Sequence, residues 1–198
     1  MASTFFISAD LAQVNDYTAI TIIERITNDT NYDRDFHLRH IERPERGTTY
    51  PKIVDRLKEL VNSPQLNGKE KAVVIDITGV GRPVWDLMQN NGFKNQMNGI
   101  TITGGNSVSE DNRIYSVPKR DLISALQVAF QNGQLKIAAG LPEADTLVKE
   151  LTNFKVKINL NGHDQYEAWR EGIHDDIVLS AAMGVWLASQ RSCRLYRY

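Results

Sequence analysis

The first third of the chain is rich in apolar and β-branched residues, arranged in three segments that predict β-strands. These segments are TFFISADL, YTAITIIERIT and DFHLRHIER. The third alternates polar with apolar residues, the period-two pattern of a strand with one covered face. Because the linking segments are short and polar, the sequence predicts that the three strands lie antiparallel to their neighbours.

The middle of the chain alternates helical and strand patterns. Apolar residues recur at helical spacing from Ile53 to Val61 and predict a helix that begins near Thr49. The next segment, KAVVID, is almost wholly apolar, which is typical of a strand covered on both faces of a sheet. A helix over RPVWDLMQNNG and a fifth strand over NGITITGG follow it.

The last third predicts three helices and a β-hairpin. The helical segments are PKRDLISALQVAFQNGQL, PEADTLVKELTNF and HDDIVLSAAMGVWLASQ. Between the second and third of these helices, KVKINLNGHDQYEAW predicts a hairpin with its turn near NGHD. Three antiparallel strands, then strand, helix and strand, with helices on both faces, predict an α/β mixed sheet.

Length, charge and cysteine content restrict the class of protein. A chain of 198 residues suits one well-buried domain, so we expect a single domain over residues 1–198. The net charge of −1 means that any DNA-binding surface is a local patch. Cys193 is the single cysteine, which favours a reducing compartment. Because the sequence has neither a signal-peptide pattern nor a long apolar run, we expect no secretion and no membrane contact.

Two aspartates each close an apolar strand. Asp10 ends the first strand and Asp76 ends the fourth. If these strands are parallel neighbours, both carboxylates lie at the same edge of the sheet, on strands about 4.8 Å apart. Two such anions repel each other, so the pair either takes up a proton or binds a cation. The alternative is that each aspartate is an ordinary strand-end residue in solvent.

Two further acids, Asp175 and Asp176, precede the apolar C-terminal helix. Either alone is suited to cap the helix, since helix N-termini favour carboxylates. Two successive acids exceed what capping requires, and packing of this helix on the sheet would bring at least one of them to Asp10 and Asp76. Carboxylate oxygens select hard cations such as Mg²⁺ or Mn²⁺. The sequence therefore predicts a site for two-metal phosphodiester hydrolysis, with the ions about 4 Å apart.

Four segments, in their order along the chain, resemble the C-terminal nuclease domain of bacteriophage large terminase subunits, the DNA-packaging motors. They are ISADLAQVNDYTAITII, VVIDITGVGRPVWDLM, VPKRDLISALQVAFQNGQLKI and GIHDDIVLSAAMGVWLA. The resemblance implies an RNase H-like fold. It also implies a metal-dependent endonuclease that cuts double-stranded concatemeric viral DNA during packaging, and we expect little sequence preference.

The resemblance implies roles for individual acids. Asp10, Asp76 and Asp176 match the family's acids on the first strand, the fourth strand and the C-terminal helix, which hold the metal ions. Asp175 is an additional or alternative ligand. Asp16 matches a further acid that approaches the metal site in some members, and its alternative interpretation is a turn residue.

Partners are implied by the same resemblance. They are double-stranded DNA, the terminase ATPase domain, the portal protein and the small terminase subunit, in the host cytoplasm. The sequence contains no G-x-x-x-x-G-K-[ST] motif, so we expect no ATP binding through a P-loop in this domain. We expect an excised nuclease domain, and a naturally separate nuclease is the alternative.

A glycine turn follows Asp76. Gly79 and Gly81 lead into a predicted helix, whose N-terminal N–H groups suit a phosphate, and Arg82 would reach that phosphate. The alternative is a tight strand-to-helix turn without a ligand.

Four other basic residues are candidates for DNA-backbone contact. Lys119 and Arg120 lie in the first turn of a predicted helix, where positive side chains oppose the helix dipole. Lys155 and Lys157 alternate along the predicted hairpin, and their alternative role is to protect an exposed strand edge. For Lys119 and Arg120 the alternative is a solvated helix face.

Three other functions compete with a terminase nuclease. A junction resolvase of the RuvC type has the same fold and a similar set of acids. An actin-like or sugar-kinase ATPase also places an acid after its first strand, but it needs two such domains around a nucleotide. The non-enzymatic alternative is an RNase H-like docking module with inactive acids. His174, next to the acids, is suited to position a water or assist a proton, and the alternative is an ordinary residue at the N-terminus of a helix.

Overall fold

The structure, a computed structural model, describes residues 2–11, 17–28, 34–79, 81–93, 95–160 and 175–190. Within these ranges eight strands form one mixed sheet. The strands are β1 (Ala2–Asp10), β2 (Ala19–Thr27), β3 (Arg34–Glu42), β4 (Glu70–Asp76), β5 (Met97–Thr103), β6 (Ser109–Asp111), β7 (Ile114–Pro118) and β8 (Leu135–Ile137). The α-helices are α1 (Tyr50–Val61), α2 (Gly81–Met88), α3 (Lys119–Gln131), α4 (Ala144–Leu160) and α5 (Asp176–Gln190).

The order of the strands across the sheet is β6-β7-β5-β4-β1-β2-β3-β8. Antiparallel pairing joins β1 to β2 and β2 to β3, with an irregularity between Ile22 and Ile23. Parallel pairing joins β1 to β4, β4 to β5 and β5 to β7, so the condition under which Asp10 and Asp76 share one edge of the sheet is met. Consequently β1, β3, β4 and β7 all end at the same edge of the sheet, which we call the carboxyl edge.

Helices cover both faces of the sheet. Alternate side chains of β1 enter two different cores: Phe6 packs with residues of α3 and α5, whereas Phe5 and Ile7 pack with residues of α1 and α2. The central residues of β4, 72–75, are apolar and buried, as expected for a strand that is covered on both faces. The three-layer arrangement confirms the predicted α/β mixed sheet with helices on both faces.

Helix α5 packs tightly against the sheet at Gly184. A Cβ built on Gly184 would be 2.5 Å from Ser8 Oγ and 3.1 Å from Ile23 Cγ1, so only glycine allows this approach. One turn earlier, the Ser180 hydroxyl donates to the Ser8 carbonyl oxygen at 3.1 Å and lies 2.9 Å from the Thr21 hydroxyl. Close packing along its length fixes where the N-terminus of α5 lies over the sheet.

The predicted hairpin is wrong in its first half. Residues 155–160 belong to α4, so Lys155 and Lys157 lie on a helix and not on alternating positions of a strand. No Gly or Pro occurs between Ala144 and Leu160, and the helix therefore has no breaker at which to end. The remainder of the predicted hairpin lies outside the described residues.

Short strands at the two ends of the sheet were not predicted. Strands β6 and β7 extend it beyond β5, and β8 pairs with β3 through three residues.

Among the described residues, no helix combines the length and the apolar character needed to cross a membrane.

Candidate functional site

Strand periodicity places Asp10 and Asp76 on the same face of the sheet. Side chains alternate along β1, so Asp10 shares the α5 side with Ser8, which lies against Gly184. Along β4 the same alternation puts Asp76 on the side of Val74, whose side chain belongs to the core under α5. Because Ala9 pairs with Ile75, the two aspartates come next in register on neighbouring parallel strands. The structure therefore brings these two predicted site residues together.

The N-terminus of α5 adds two carboxylates. Asp176 is the first residue of α5 and is 5 % exposed, and Asp175 precedes it. Both lie close enough to Asp10 to act on its charge. The structure thus places Asp10, Asp76, Asp175 and Asp176 near one another at the carboxyl edge.

Burial and mutual repulsion dominate the electrostatics of this cluster. Desolvation, followed by the charges of Asp76, Asp176 and Asp175, raises the pKa of Asp10 well above its ordinary value. Desolvation also raises the pKa of Asp76, although hydrogen bonds from Thr78 and the charge of Lys119 oppose this. The cluster is therefore short of positive charge at its centre.

Two cations of the protein itself lie at the outside of the cluster. Lys119, which follows β7, donates from Nζ to Asp175 Oδ2 at 2.7 Å. Arg43, which follows β3, donates from Nη2 to Asp176 Oδ2 at 3.1 Å. Both cations come to the acids because β3 and β7 end at the carboxyl edge. Lys119 was predicted to contact DNA, and in the structure it pairs with Asp175.

A fifth carboxylate, that of Glu150, lies beside Asp176. This residue of α4 is 5 % exposed. Its Oε2 accepts hydrogen bonds from the backbone N–H groups of Ile177 and Val178, each at 3.1 Å, and its Oε1 accepts one from Arg43 at 3.0 Å. Desolvation raises the pKa of Glu150 to about 7, against the hydrogen bond from Val178 and the charge of Arg43.

Glu150, and not Asp175, supplies the side-chain cap of α5. The Asp175 carbonyl accepts the first helical hydrogen bond, from Leu179 at 2.9 Å, so Asp175 is the N-cap residue. A capping side chain at that position would bond to Ile177 or Val178, and both of those N–H groups bond to Glu150 instead. Asp175 bonds to Lys119. The Asp175 side chain therefore does not cap α5, and its role as a metal ligand stays a prediction.

The glycine turn after β4 brings α2 against Asp76. The Thr78 N–H donates to Asp76 Oδ1 at 2.7 Å. Gly79 adopts a φ of +62°, and a Cβ on Gly81 would collide with the Asp76 carbonyl oxygen. A backbone reason therefore accounts for both glycines, as the tight-turn interpretation predicts. Arg82 is exposed in the first turn of α2.

The structure says less about the remaining predicted site residues. Arg120 is exposed, bonds to Asp121 at 3.3 Å and donates to the Asn106 carbonyl oxygen at 3.2 Å. For Lys155 and Lys157 the structure gives the helical backbone alone. Asp16 and His174 lie outside the described residues.

Sequence reasoning missed Arg43 and Glu150. For Glu150 a signal exists, because Leu147, Glu150 and Leu151 share the spacing of one helix face, so the acid falls on the buried side of α4. Arg43 has no local signal. It reaches the site through the pairing of strands that are distant in sequence, and its guanidinium also stacks 4.6 Å from the Tyr17 ring.

The chemistry of the donor set fits a hard divalent cation. Oxygen atoms of carboxylates are the ligands that Mg²⁺ and Mn²⁺ prefer, and buried carboxylates that repel one another gain from a cation between them. In the described part of the chain, however, no three acidic, His or Cys side chains already converge as metal ligands do. Asp175 and Asp176 instead face Lys119 and Arg43.

Comparison with known families identifies the chain. The family described as terminase RNaseH-like domain matches residues 7–184. The chain belongs to this family. Membership confirms the predicted resemblance and the RNase H-like fold, and it supports a nuclease.

Solved structures similar to this terminase RNase H-like domain include two resolvases. The RuvC structure from Thermus thermophilus is 9 % identical, with 98 % of this chain and 97 % of that chain covered and a TM-score of 0.47. The fowlpox virus Holliday junction resolvase is 15 % identical, with coverage of 95 % and 99 % and a TM-score of 0.34. No curated protein matches the chain.

Proposed function

We propose that this domain is a metal-dependent endonuclease that cuts double-stranded concatemeric viral DNA during genome packaging. The observation that carries the proposal is the convergence of Asp10, Asp76, Asp175 and Asp176 at the carboxyl edge, in a chain of the terminase RNase H-like family. Four carboxylates in one partly buried cluster repel one another, and this repulsion is a cost to folding stability. Such a cost is typical of a functional site.

The four aspartates are the residues that would hold Mg²⁺ or Mn²⁺, in the proposal as two ions. A bound pair of such ions supplies activation of water and neutralisation of phosphate charge. Asp10 and Asp76 sit on the rigid strands of the sheet, while Asp175 and Asp176 sit at the start of α5. Lys119 and Arg43 hold the outer two carboxylates in place. Asp16 remains a proposed further ligand.

Contact with DNA is proposed to involve the phosphate backbone. Arg82 and Arg120 are exposed near the ends of β4 and β7, at the same edge as the acids. Arg46 adds a candidate that the sequence did not suggest, because its exposed guanidinium stacks 3.9 Å from the Tyr17 ring, next to Arg43. Lys155 and Lys157 remain proposed contacts. Positive side chains of this kind contact phosphate without reading sequence.

The setting follows from the family and is proposed with the activity. The domain would act in the host cytoplasm beside a terminase ATPase domain, the portal protein and the small terminase subunit. ATP would bind to that ATPase domain and not to this one.

The test is cleavage of supercoiled plasmid by the purified chain with Mn²⁺ or Mg²⁺, against an EDTA control. We expect nicking and linearisation that Asp10→Ala, Asp76→Ala and Asp176→Ala each abolish while the chain stays folded by circular dichroism. The matched control is Asp35→Ala, since Asp35 pairs with Lys136 on the surface at the opposite end of β3. An active Asp76→Ala protein, or a strong preference for four-way junctions over plasmid, would contradict the proposal.

A further inference from the structure

We infer that Glu150 is a positioning residue for the active site: it caps the start of α5, so that Asp175 stays on Lys119 and Asp176 on Arg43, beside Asp10. The inference deepens the proposed function and rests on it. Its basis is the set of hydrogen bonds among Glu150, Arg43 and the first residues of α5.

Asp175 and Glu150 are both placed where a carboxylate can cap α5. Without Glu150, the N–H groups of Ile177 and Val178 would need other acceptors, because the first N–H groups of a helix have no partner within it. Asp175 is the N-cap residue, and aspartate is among the best capping side chains. Its carboxylate would then turn to these N–H groups and away from Lys119. Glu150 removes this competition from 27 residues away in the sequence.

Arg43 extends the same arrangement to Asp176. Its Nη2 donates both to Glu150 Oε1 and to Asp176 Oδ2, at 3.0 and 3.1 Å. The side chains of Arg43, Glu150 and Asp176 are only 13 %, 5 % and 7 % exposed, so water competes little for these charge-assisted bonds. Arg43 thus fixes the Asp176 carboxylate relative to a residue of α4 and to the end of β3.

A role in helix capping alone does not require this arrangement. Two acids already stand at the start of α5, and either is suited to cap it. A buried carboxylate brought from another helix is needed only if both of those acids serve elsewhere. Residues that orient metal ligands from outside typically change metal affinity or activity about 10- to 100-fold when they are mutated.

The first measurement is a crystal structure of the Glu150→Ala chain, grown in EDTA. We expect the Asp175 carboxylate within hydrogen-bond distance of the Ile177 or Val178 N–H and no longer on Lys119. In a Glu150→Gln crystal, the amide oxygen still accepts from these N–H groups, and Asp175 should stay on Lys119. If Asp175 keeps its Lys119 contact in Glu150→Ala, the inference is overturned.

The second measurement is plasmid cleavage, with kcat and KM separated. Glu150→Ala should lower kcat by about 10- to 100-fold with little change in KM, and Glu150→Gln should recover part of the loss. The matched control is Glu24→Ala, which removes a partly buried glutamate bonded to Ser3 and Arg39, far along β2 from the carboxyl edge. Wild-type kcat in Glu150→Ala, or an equal loss of kcat in Glu24→Ala at equal loss of stability, would overturn the inference. A wild-type chain that cuts no DNA would refute the proposed function, and the crystal would still decide where Asp175 lies.

Discussion

Ionisation of Asp10 is opposed by its burial and by the charges of Asp76, Asp176 and Asp175. For an acid whose pKa is higher in the folded chain than in the unfolded chain, the folded state binds more protons between the two values. Stability then falls as pH rises through that window. Asp10, a proposed metal ligand, therefore lowers the stability of the chain when no metal is bound.

Asp10→Asn tests this conflict between function and stability. In EDTA the variant should have a higher Tm than the wild type near pH 7.5, with an advantage that disappears below about pH 4, where the unfolded aspartate is also protonated. Each kcal/mol corresponds to about 2–4 °C for a chain of this size. Cleavage should be lost. Scanning calorimetry at the two pH values measures the effect, and a lower Tm for Asp10→Asn near pH 7.5 would contradict it.

At single residues, the sequence predicted the acids better than their surroundings. Asp10 and Asp76 were predictable because strand ends at one edge follow from strand order alone. Asp175 and Asp176 were predictable from their place before an apolar helix. The roles of Arg43 and Glu150 were not, since they depend on which side chains tertiary packing brings to the start of α5.

At the scale of elements, the distance between α5 and the sheet determines where the site acids lie. Gly184 permits this distance because its missing Cβ leaves room for Ser8 and Ile23. We expect Gly184→Ala to cost about 1–3 kcal/mol of unfolding free energy, as insertion of a methyl group into a close-packed core does. Plasmid cleavage should fall as well, because α5 carries Asp175 and Asp176.

Urea denaturation of Gly184→Ala and of Gly104→Ala measures the unfolding free energies that this prediction compares. Gly104 is a matched control, since a Cβ built there meets no atom within 4 Å and its φ is not positive. Its unfolding free energy should stay close to that of the wild type. Equal stability of the two variants would mean that α5 adjusts without strain.

A second contact between elements, Glu42 of β3 with Arg56 of α1, gives a pH-dependent prediction. The hydrogen bond with His40, and then those from Arg56, lower the pKa of Glu42 from 4.5 to about 2. For a lowered pKa, the stabilisation is present above about pH 4.5 and is lost as pH falls towards 2. Because Arg56 is 39 % exposed, we expect less than about 1 kcal/mol.

The unfolding free energies of wild type and Glu42→Gln, measured between pH 7 and pH 3, test this contact. The wild type should be the more stable above pH 4.5, and the difference should shrink below it. Asp35→Asn, which removes an exposed partner of Lys136, is the control. A difference that is constant over the whole range would exclude the titration of Glu42 as its cause.

Element prediction was correct where one periodicity was clear and wrong where two coincided. Residues 155–160 alternate Lys, Val, Lys and Ile as a strand does, yet they continue a helix that no Gly or Pro interrupts. Strand β8 has only three residues, too few for a pattern, and it exists because β3 offers it a partner. The antiparallel pairing of the first three strands was predictable because their links are short, whereas the contact of β1 with β4 was only a condition of the prediction for Asp10 and Asp76.

For the molecule as a whole, charge determines how DNA can bind. A net charge of −1 gives no general attraction to a polyanion, so the proposed binding depends on a few cations near the carboxyl edge. Each phosphate that a cation contacts contributes about −0.9 to the slope of log affinity against log salt for duplex DNA. The slope therefore counts contacts that net charge does not reveal.

Duplex binding by the Asp10→Asn chain, in which we expect no cleavage, should weaken steeply with salt. Arg82→Ala and Arg120→Ala, made in that background, should each reduce the magnitude of the slope by about 1 and weaken binding equally for unrelated sequences. Lys58→Ala is the matched control, because Lys58 is an exposed cation of α1, on the face of the sheet opposite α5. Fluorescence anisotropy over a series of salt concentrations gives the slopes. If Arg82→Ala and Lys58→Ala show the same slope as the parent chain, DNA does not lie along the turn that follows Asp76. A slope that falls for Arg82 and Arg120 but not for Lys58 would place the DNA backbone at the edge where the four aspartates meet.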